Sequence, residues 1–189
     1  MKTIDRLAGA LLLLTLATGP AWADEYTETI DIFKDAVESK GFFENAFGYA
    51  VYPTIGKGGV GLGAAHGIGR VYRQGEYVGD TKMTQLSIGF QLGVQAFRQM
   101  IFFENEAVFT EFTSGNFEFG AQASAVAITA GAQAAATSTG SSAGAGISDR
   151  DSATVGEYVD GMAVFTVAKG GLMYEASIGG QKFSYKPKP

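Results

Sequence analysis

Four groupings in this sequence carry residue types able to do chemistry. The run Gly56-Lys57-Gly58-Gly59-Val60-Gly61 matches G-x-G-x-x-G by count. That motif cradles a pyrophosphate only where it joins a strand to a helix, and the residues after it alternate like a strand instead. As a phosphate loop it fails as well, because Leu62-Gly63 stand where a lysine and a hydroxyl are needed. Gly140-Ser141-Ser142-Ala143-Gly144 matches G-x-S-x-G. A nucleophile elbow needs a strand before it, a helix after it and a histidine further on. This one sits in a polar low-complexity run, and the one histidine, His66, lies upstream. A lone histidine without any cysteine builds no His/Cys metal site. Glu104, Glu106 and Glu111 read as the charged face of a short helix, since no pair of acids stands in a context that marks general acid–base work. The sequence therefore points away from an enzyme, from a metal site and from any cofactor.

A second set of residues suits binding. Phe33, Phe42, Phe43 and Phe47 crowd a short stretch, and Lys57, Arg70 and Arg73 follow it, with Lys82 and Arg98 further on. Clustered aromatics beside a basic rim suit burial of an apolar or acyl surface, with cations meeting a head group.

The elements that must position these residues are mostly strands. Over residues 83–97, Leu86, Ile88, Phe90, Leu92, Val94 and Ala96 share one parity and Gln85, Ser87, Gly89, Gln91, Gly93 and Gln95 the other. Strict alternation means a strand with an apolar face that needs a cover and a face almost free of charge. At ~3.4 Å per residue this ribbon runs roughly 40 Å, so it must coil, which Gly89 and Gly93 permit. The chain has 27 glycines, about twice the usual ~7% share, and they recur inside strand-like runs. Gly59, Gly61 and Gly63 strip one strand face to backbone, so something packs hard against it.

Before this ribbon, residues 24–40 predict a helix with Tyr26, Ile30, Phe33 and Val37 on one stripe. A short helical or irregular piece over 42–47 and an extended 49–52 follow, which Pro53 ends or sets at an edge. Turns are expected at 65–67 and 74–76. After the ribbon, residues 104–113 predict a short helix, and 117–136 a strand region with a bend near 124. Residues 137–151 form a low-complexity polar loop. A closing meander spans 158–167, 171–178 and 181–185, with turns at 169–171 and 179–180. The fold class is α+β, mainly antiparallel β: a curled or barrel-like sheet with an N-terminal helix and a short helix near 104–113.

The first 23 residues have the form of an export signal. Lys2 and Arg6 precede an apolar run over 7–17, and Ala21-Trp22-Ala23 is a small-x-small cleavage pattern, placing cleavage between Ala23 and Asp24. The expected product is a single domain over 24–189 in the periplasm, secreted, or associated with the outer membrane. Without cysteine it has no disulfide and no thiol chemistry. The net charge is −5, which argues against nucleic acid as a partner.

Asn45-Ala46, then Gly48-Tyr49-Ala50-Val51-Tyr52-Pro53, then Lys57-Gly58-Gly59-Val60-Gly61-Leu62-Gly63 resemble the opening signature of the SYLF (Ysc84 actin-binding) family. The resemblance continues through Gly89-Phe90-Gln91-Leu92-Gly93-Val94-Gln95, Phe102-Phe103 and Gly120-Ala121, to Lys169-Gly170-Gly171-Leu172-Met173 and Gly179-Gly180. It implies lipid binding without catalysis. Eukaryotic members bind phosphoinositide membranes with help from an N-terminal amphipathic helix, and some bind actin. Here that helix is acidic, Gln122 stands where an acid is frequent in the family, and export argues against actin. The expected partner is a lipid or membrane surface contacted through Phe33, Phe42, Phe43, Phe47, Lys57, Arg70 and Arg73. A small outer-membrane barrel and a structural or interaction module with an envelope protein partner are the alternatives.

Overall fold

A computed structural model describes residues 24–120, 123, 125–128, 156–169 and 178–189, with the side chains of 60–62, 87–94 and 127 left out. The expected export signal over 1–23, Gln122, the expected bend near 124, the expected loop 137–151 and residues 171–177 of the expected meander lie outside the described residues.

The chain opens with α1 (Glu25–Asp35) and one turn of helix, α2 (Phe42–Asn45). Two long strands follow, β1 (Gly48–Arg73) and β2 (Glu76–Phe103), then α3 (Glu106–Thr113), β3 (Asn116–Glu118), β4 (Val126–Ile128), β5 (Met162–Lys169) and β6 (Gln181–Pro187). The sheet order is β3-β6-β2-β5-β4, with β1 on the other edge of β2. The pairing is antiparallel except for β4, which runs parallel to β5. The α+β class with a mainly antiparallel, curled sheet is as the sequence predicts.

β1 and β2 form one hairpin. Its turn is Gln74-Gly75, both with positive φ (50° and 84°), closed by the pair Arg73 and Glu76. Two left-handed residues give the turn whose twist matches that of the flanking strands. The expected turn at 65–67 is absent: β1 runs straight through it, paired with residues 83–85 of β2. Pro53 does not end the strand either. It falls where the register slips between Tyr52 and Ile55, a bulge that spares the ladder the missing amide. The bulge also switches parity, so that Ala50 and Tyr52 before it and Ile55 after it all enter the same core.

The hairpin curls until β1 touches itself. A Cβ on Gly69 would sit 2.6 Å from the Tyr52 ring and 2.7 Å from the Val51 carbonyl oxygen; one on Gly67 would sit 2.6 Å from Ile55. The strand face at Gly67 and Gly69 thus receives the strand's own beginning. Inside the curl lies a cluster of Tyr52, Ile55, Met83, Phe97, Ile101, Phe103 and Phe183, which α3 closes with Phe109 and Phe112. On the outer face, α1 and α2 cover a second cluster of Ile30, Phe33, Val51, Met100, Phe102 and Phe165. This helix cover differs from the barrel alternative, whose exterior faces lipid. Among the described residues the sheet does not close.

Over residues 81–86 the faces of β2 are the reverse of the expected cover. Thr81, Met83 and Gln85 point inward, and Leu86 is 84% exposed. Polar residues can occupy the interior because they are paired. The Gln85 amide donates to the Gly179 carbonyl (2.9 Å). Gln99 and Gln181, both wholly buried, exchange amide hydrogen bonds of 2.9 and 3.2 Å. The hydroxyls of Tyr52 and Thr81 lie 2.9 Å apart.

α1 ends five residues before the expected position. Ala36 turns extended, the Ser39 hydroxyl takes the Phe33 carbonyl, and Val37 is exposed. α3 begins at Asn105, whose side chain accepts from the Val108 amide and caps the helix. The closing strands do not form a simple meander. β5 pairs with the 96–103 end of β2 and β6 with its 79–85 end.

Two outcomes follow from this packing. Gly69→Ala is expected to lower the urea midpoint by an amount equivalent to about 1–3 kcal/mol, because carbonyl and ring must both give way. Gly56→Ala, where a Cβ meets nothing within 4 Å, is expected to leave the midpoint unchanged. Alkali should also unfold the protein. Burial, with Tyr72 stacked beside it, pushes the Tyr49 phenol from 10.0 up to about 12. Burial raises Tyr52 further, against its bond to Thr81. Below about pH 10 folded and unfolded chains both hold these protons, and stability is flat. Above it the unfolded chain ionises first, so unfolding free energy should fall as pH rises towards 12. Urea titrations across that range would detect this, and Tyr52→Phe should shallow the fall.

Candidate functional site

The sequence-selected aromatics divide between the two cores. Phe33 is wholly buried on α1. Phe42 and Phe43, half-buried on α2, close over Phe102 at centroid distances of 5.4 and 4.9 Å. Phe42 also meets Tyr158 and Phe165. Phe42 and Phe43 therefore gather around one ring, in the outer cluster that also holds Phe33. Phe47 does not join them; it packs against Phe109 at 5.4 Å, beside the inner core.

The cations are spread out as well. Arg70 pairs with the Asp24 carboxylate and lies 4.0 Å over the Tyr26 ring. Burial pushes the Tyr26 phenol up while Arg70 pulls it down. Arg98 pairs with Glu28 at 2.8 Å. Both arginines thus tie α1 to the sheet. Arg73 is exposed at the hairpin turn. Lys57 is half-buried well along β1, opposite Gln95. Gly56 to Gly61 lie inside β1, which denies them the strand-to-helix context a dinucleotide needs. The G-x-S-x-G run at 140–144 is outside the described residues. Among the described residues no three metal-type side chains come together, and no helix is long and apolar enough to cross a membrane.

Two features were not legible as sites in the sequence. The first is an open recess of about 610 Å³, within the ~300–1,000 Å³ usual for small-molecule sites. Phe117, Phe119, Ala123, Met162, Val164 and Ile178 line it, with the acids Glu111, Glu118 and Asp160 among its walls. α3 sets one side by seating Phe112 between Phe103 and Phe183, at 4.7 and 5.2 Å. The other side depends on the turn at Asp160-Gly161, with φ of 51° and 74°. There the two backbones of Val159 and Met162 exchange hydrogen bonds. A side chain at 161 would also strike Val108, so glycine is required twice over. The only sequence trace of this recess is the i, i+2 spacing of Phe117 and Phe119.

The second feature is the bare part of the outer sheet face. Aligned across β1, β2, β6 and β3, the row Ile68, Lys82, Ser184, Asn116 lies beside the row His66, Thr84, Lys182, Glu118. All eight are exposed. A shallow groove of about 420 Å³ runs over Ile68, Lys82, Ser184 and Lys186.

The family model of Ysc84, described as Las17-binding protein actin regulator, matches residues 84–187. The chain belongs to the Ysc84 family. No curated protein matches it in sequence. Ysc84 domains are lipid- or actin-binding modules, a family of binding domains. The matched Ysc84 segment contains every residue lining the recess and most of β2 and β6. It leaves out α1, α2 and β1, and with them Phe33, Phe42, Phe43, Phe47, Lys57, Arg70 and Arg73.

Phe33→Ala is expected to cost ~3–5 kcal/mol in urea unfolding, as loss of a buried ring does. Arg70→Ala should cost only about 1 kcal/mol, and less in high salt. Its ion pair is partly exposed and its ring contact is of similar size.

Proposed function

We propose that this protein binds lipid, or another amphiphile, without altering it chemically, and takes the apolar part into the recess between α3, β3 and β5. The observation that carries the reading is the recess itself: a hollow of about 610 Å³ walled by apolar side chains and three acids inside the segment that matches the family. Burying acyl surface there is favourable by roughly 25 cal/mol per Å² removed from water. The acids around the hollow favour a head group that carries an amine over a bare carboxylate. Phe42 and Phe43, half-buried over Phe102, Phe47 beside α3, and the cations Lys57, Arg70 and Arg73 are proposed as peripheral contacts. Phe33 supports that surface from below.

The same reading places the protein outside the cytoplasm, in the periplasm or at the outer membrane. The basic start, apolar run and Ala21-Trp22-Ala23 pattern support it. Export in turn favours lipid over actin among the family's partners.

Natively purified protein should carry extractable lipid by mass spectrometry, and should bind a fluorescent lysophosphatidylethanolamine saturably at one site. Ala123→Phe, which fills the recess from its wall, should weaken that binding at least tenfold with little change in melting temperature. Protein that holds no lipid and takes up no probe would refute the proposal.

A further inference from the structure

The bare outer face of β1, β2, β6 and β3 differs in charge from the rest of the chain. The whole sequence carries −5. α1 presents Glu25, Asp31 and Asp35 to solvent, and α3 presents Glu106 and Glu111. The strand face instead gathers Lys82, Lys182 and Lys186. Lys182 is partly offset by Glu118 at 3.3 Å. Lys82 and Lys186 have no ion pair among the described residues, and the acid beside them, Asp80, accepts the Tyr77 hydroxyl at 2.8 Å. On the same face Ile68 is 53% exposed and Leu86 84%.

The geometry points to this face as the surface by which the protein docks on an anionic lipid bilayer, with Lys82 and Lys186 against the lipid phosphates and Ile68 and Leu86 entering the interface. Three features argue for a bilayer as the occupant. Ile68 and Lys82 are register partners, Lys186 stands opposite Asp80 one row away, and Leu86 follows on the same outward parity of β2, so all four share one exposed face. The lysines sit in a protein of opposite net charge, so an anionic surface attracts this face and repels the acidic helices, which fixes the orientation. The exposed aliphatics add burial that a soluble polyanion would not reward. α1 meets this face at its border, where its N-cap Asp24 is neutralised by Arg70. The inference rests on the lipid reading above but concerns a different surface, since the recess lies between α3, β3 and β5.

The test is flotation of the full-length protein with vesicles of phosphatidylglycerol and phosphatidylcholine in equal parts, and with phosphatidylcholine alone. Wild type should float with the anionic vesicles at low salt and release as salt rises. Lys82→Glu with Lys186→Glu should weaken flotation at least tenfold, and Leu86→Asp severalfold. Lys40→Glu, an exposed lysine after α1, should leave it unchanged. All variants change exposed side chains, and circular dichroism checks their fold. Equal flotation of wild type and the double variant, equal weakening by Lys40→Glu, or equal binding to both vesicle types would overturn the docking face. So would a self-associated protein in sedimentation whose dimer is lost in the double variant. None of these touches uptake of the lysolipid probe, whose failure alone would sink the recess.

Discussion

The contact between Gly69 and the ring and backbone of Tyr52 and Val51 is the constraint on which the rest of the fold depends. Two strands of 26 and 28 residues would otherwise form a long, two-stranded ribbon, and such a ribbon is marginal in water. Curling turns one face of it into a closed interior that its own ends fill. Glycine at 67 and 69 removes the side chains that would hold those ends apart. The bulge at Pro53 brings the parity back into step so that Tyr52 and Ile55 both point inward. The curl also brings Gln99 to Gln181, which lies beside Gln85 in the sheet, so both ends of β2 are joined through a buried amide pair. An amide pair is directional where an apolar contact is not, and leaving one partner alone costs the desolvation of a buried polar group. The pair therefore helps to fix the degree of curl.

Much of this architecture was legible. The alternation over 83–97 gave a long strand, Gln74-Gly75 gave its turn, and Phe109 and Phe112 gave a helix with Ser114-Gly115 at its end. What the pattern could not tell was which face of the strand is inside. Alternation assigns the apolar parity inward by default, yet Gln85 is inside and Leu86 outside. The deciding partners, Gly179 and Gln181, are almost a hundred residues away, and no local period encodes them. The turn expected at 65–67 failed for a related reason. Ala65-His66-Gly67 has turn-like residues, but the glycine answers to the approach of Ile55 across the core. A glycine demanded by packing and one demanded by a turn look the same in a sequence.

The candidate site was less legible than the fold, and for a physical reason. Phenylalanine density marks burial, and most of the dense stretch went to the seam between α1, α2 and the outer sheet face. The recess is assembled from Phe117 on β3, Met162 and Val164 on β5, and Ile178 just before β6, none of which is unusual where it stands. Concavity comes from how elements meet, here from a capped helix end and a two-residue turn.

Division of labour along the chain ties these observations together. The unmatched first half supplies β1, the curl and the helices that cover the outer core. The matched half supplies the recess, β6 and the lysines at 182 and 186. β2 belongs to both, since it carries the curl through Gln99 and the bare face through Lys82 and Leu86. A strand used on both faces must place its hydrogen-bonded polar groups inside and leave aliphatics outside. The inverted parity of Gln85 and Leu86 follows if the inner face is selected for a fixed curl and the outer face for contact with something other than water. Simple solvation of the outer face explains the lysines but not Leu86, and core packing explains neither.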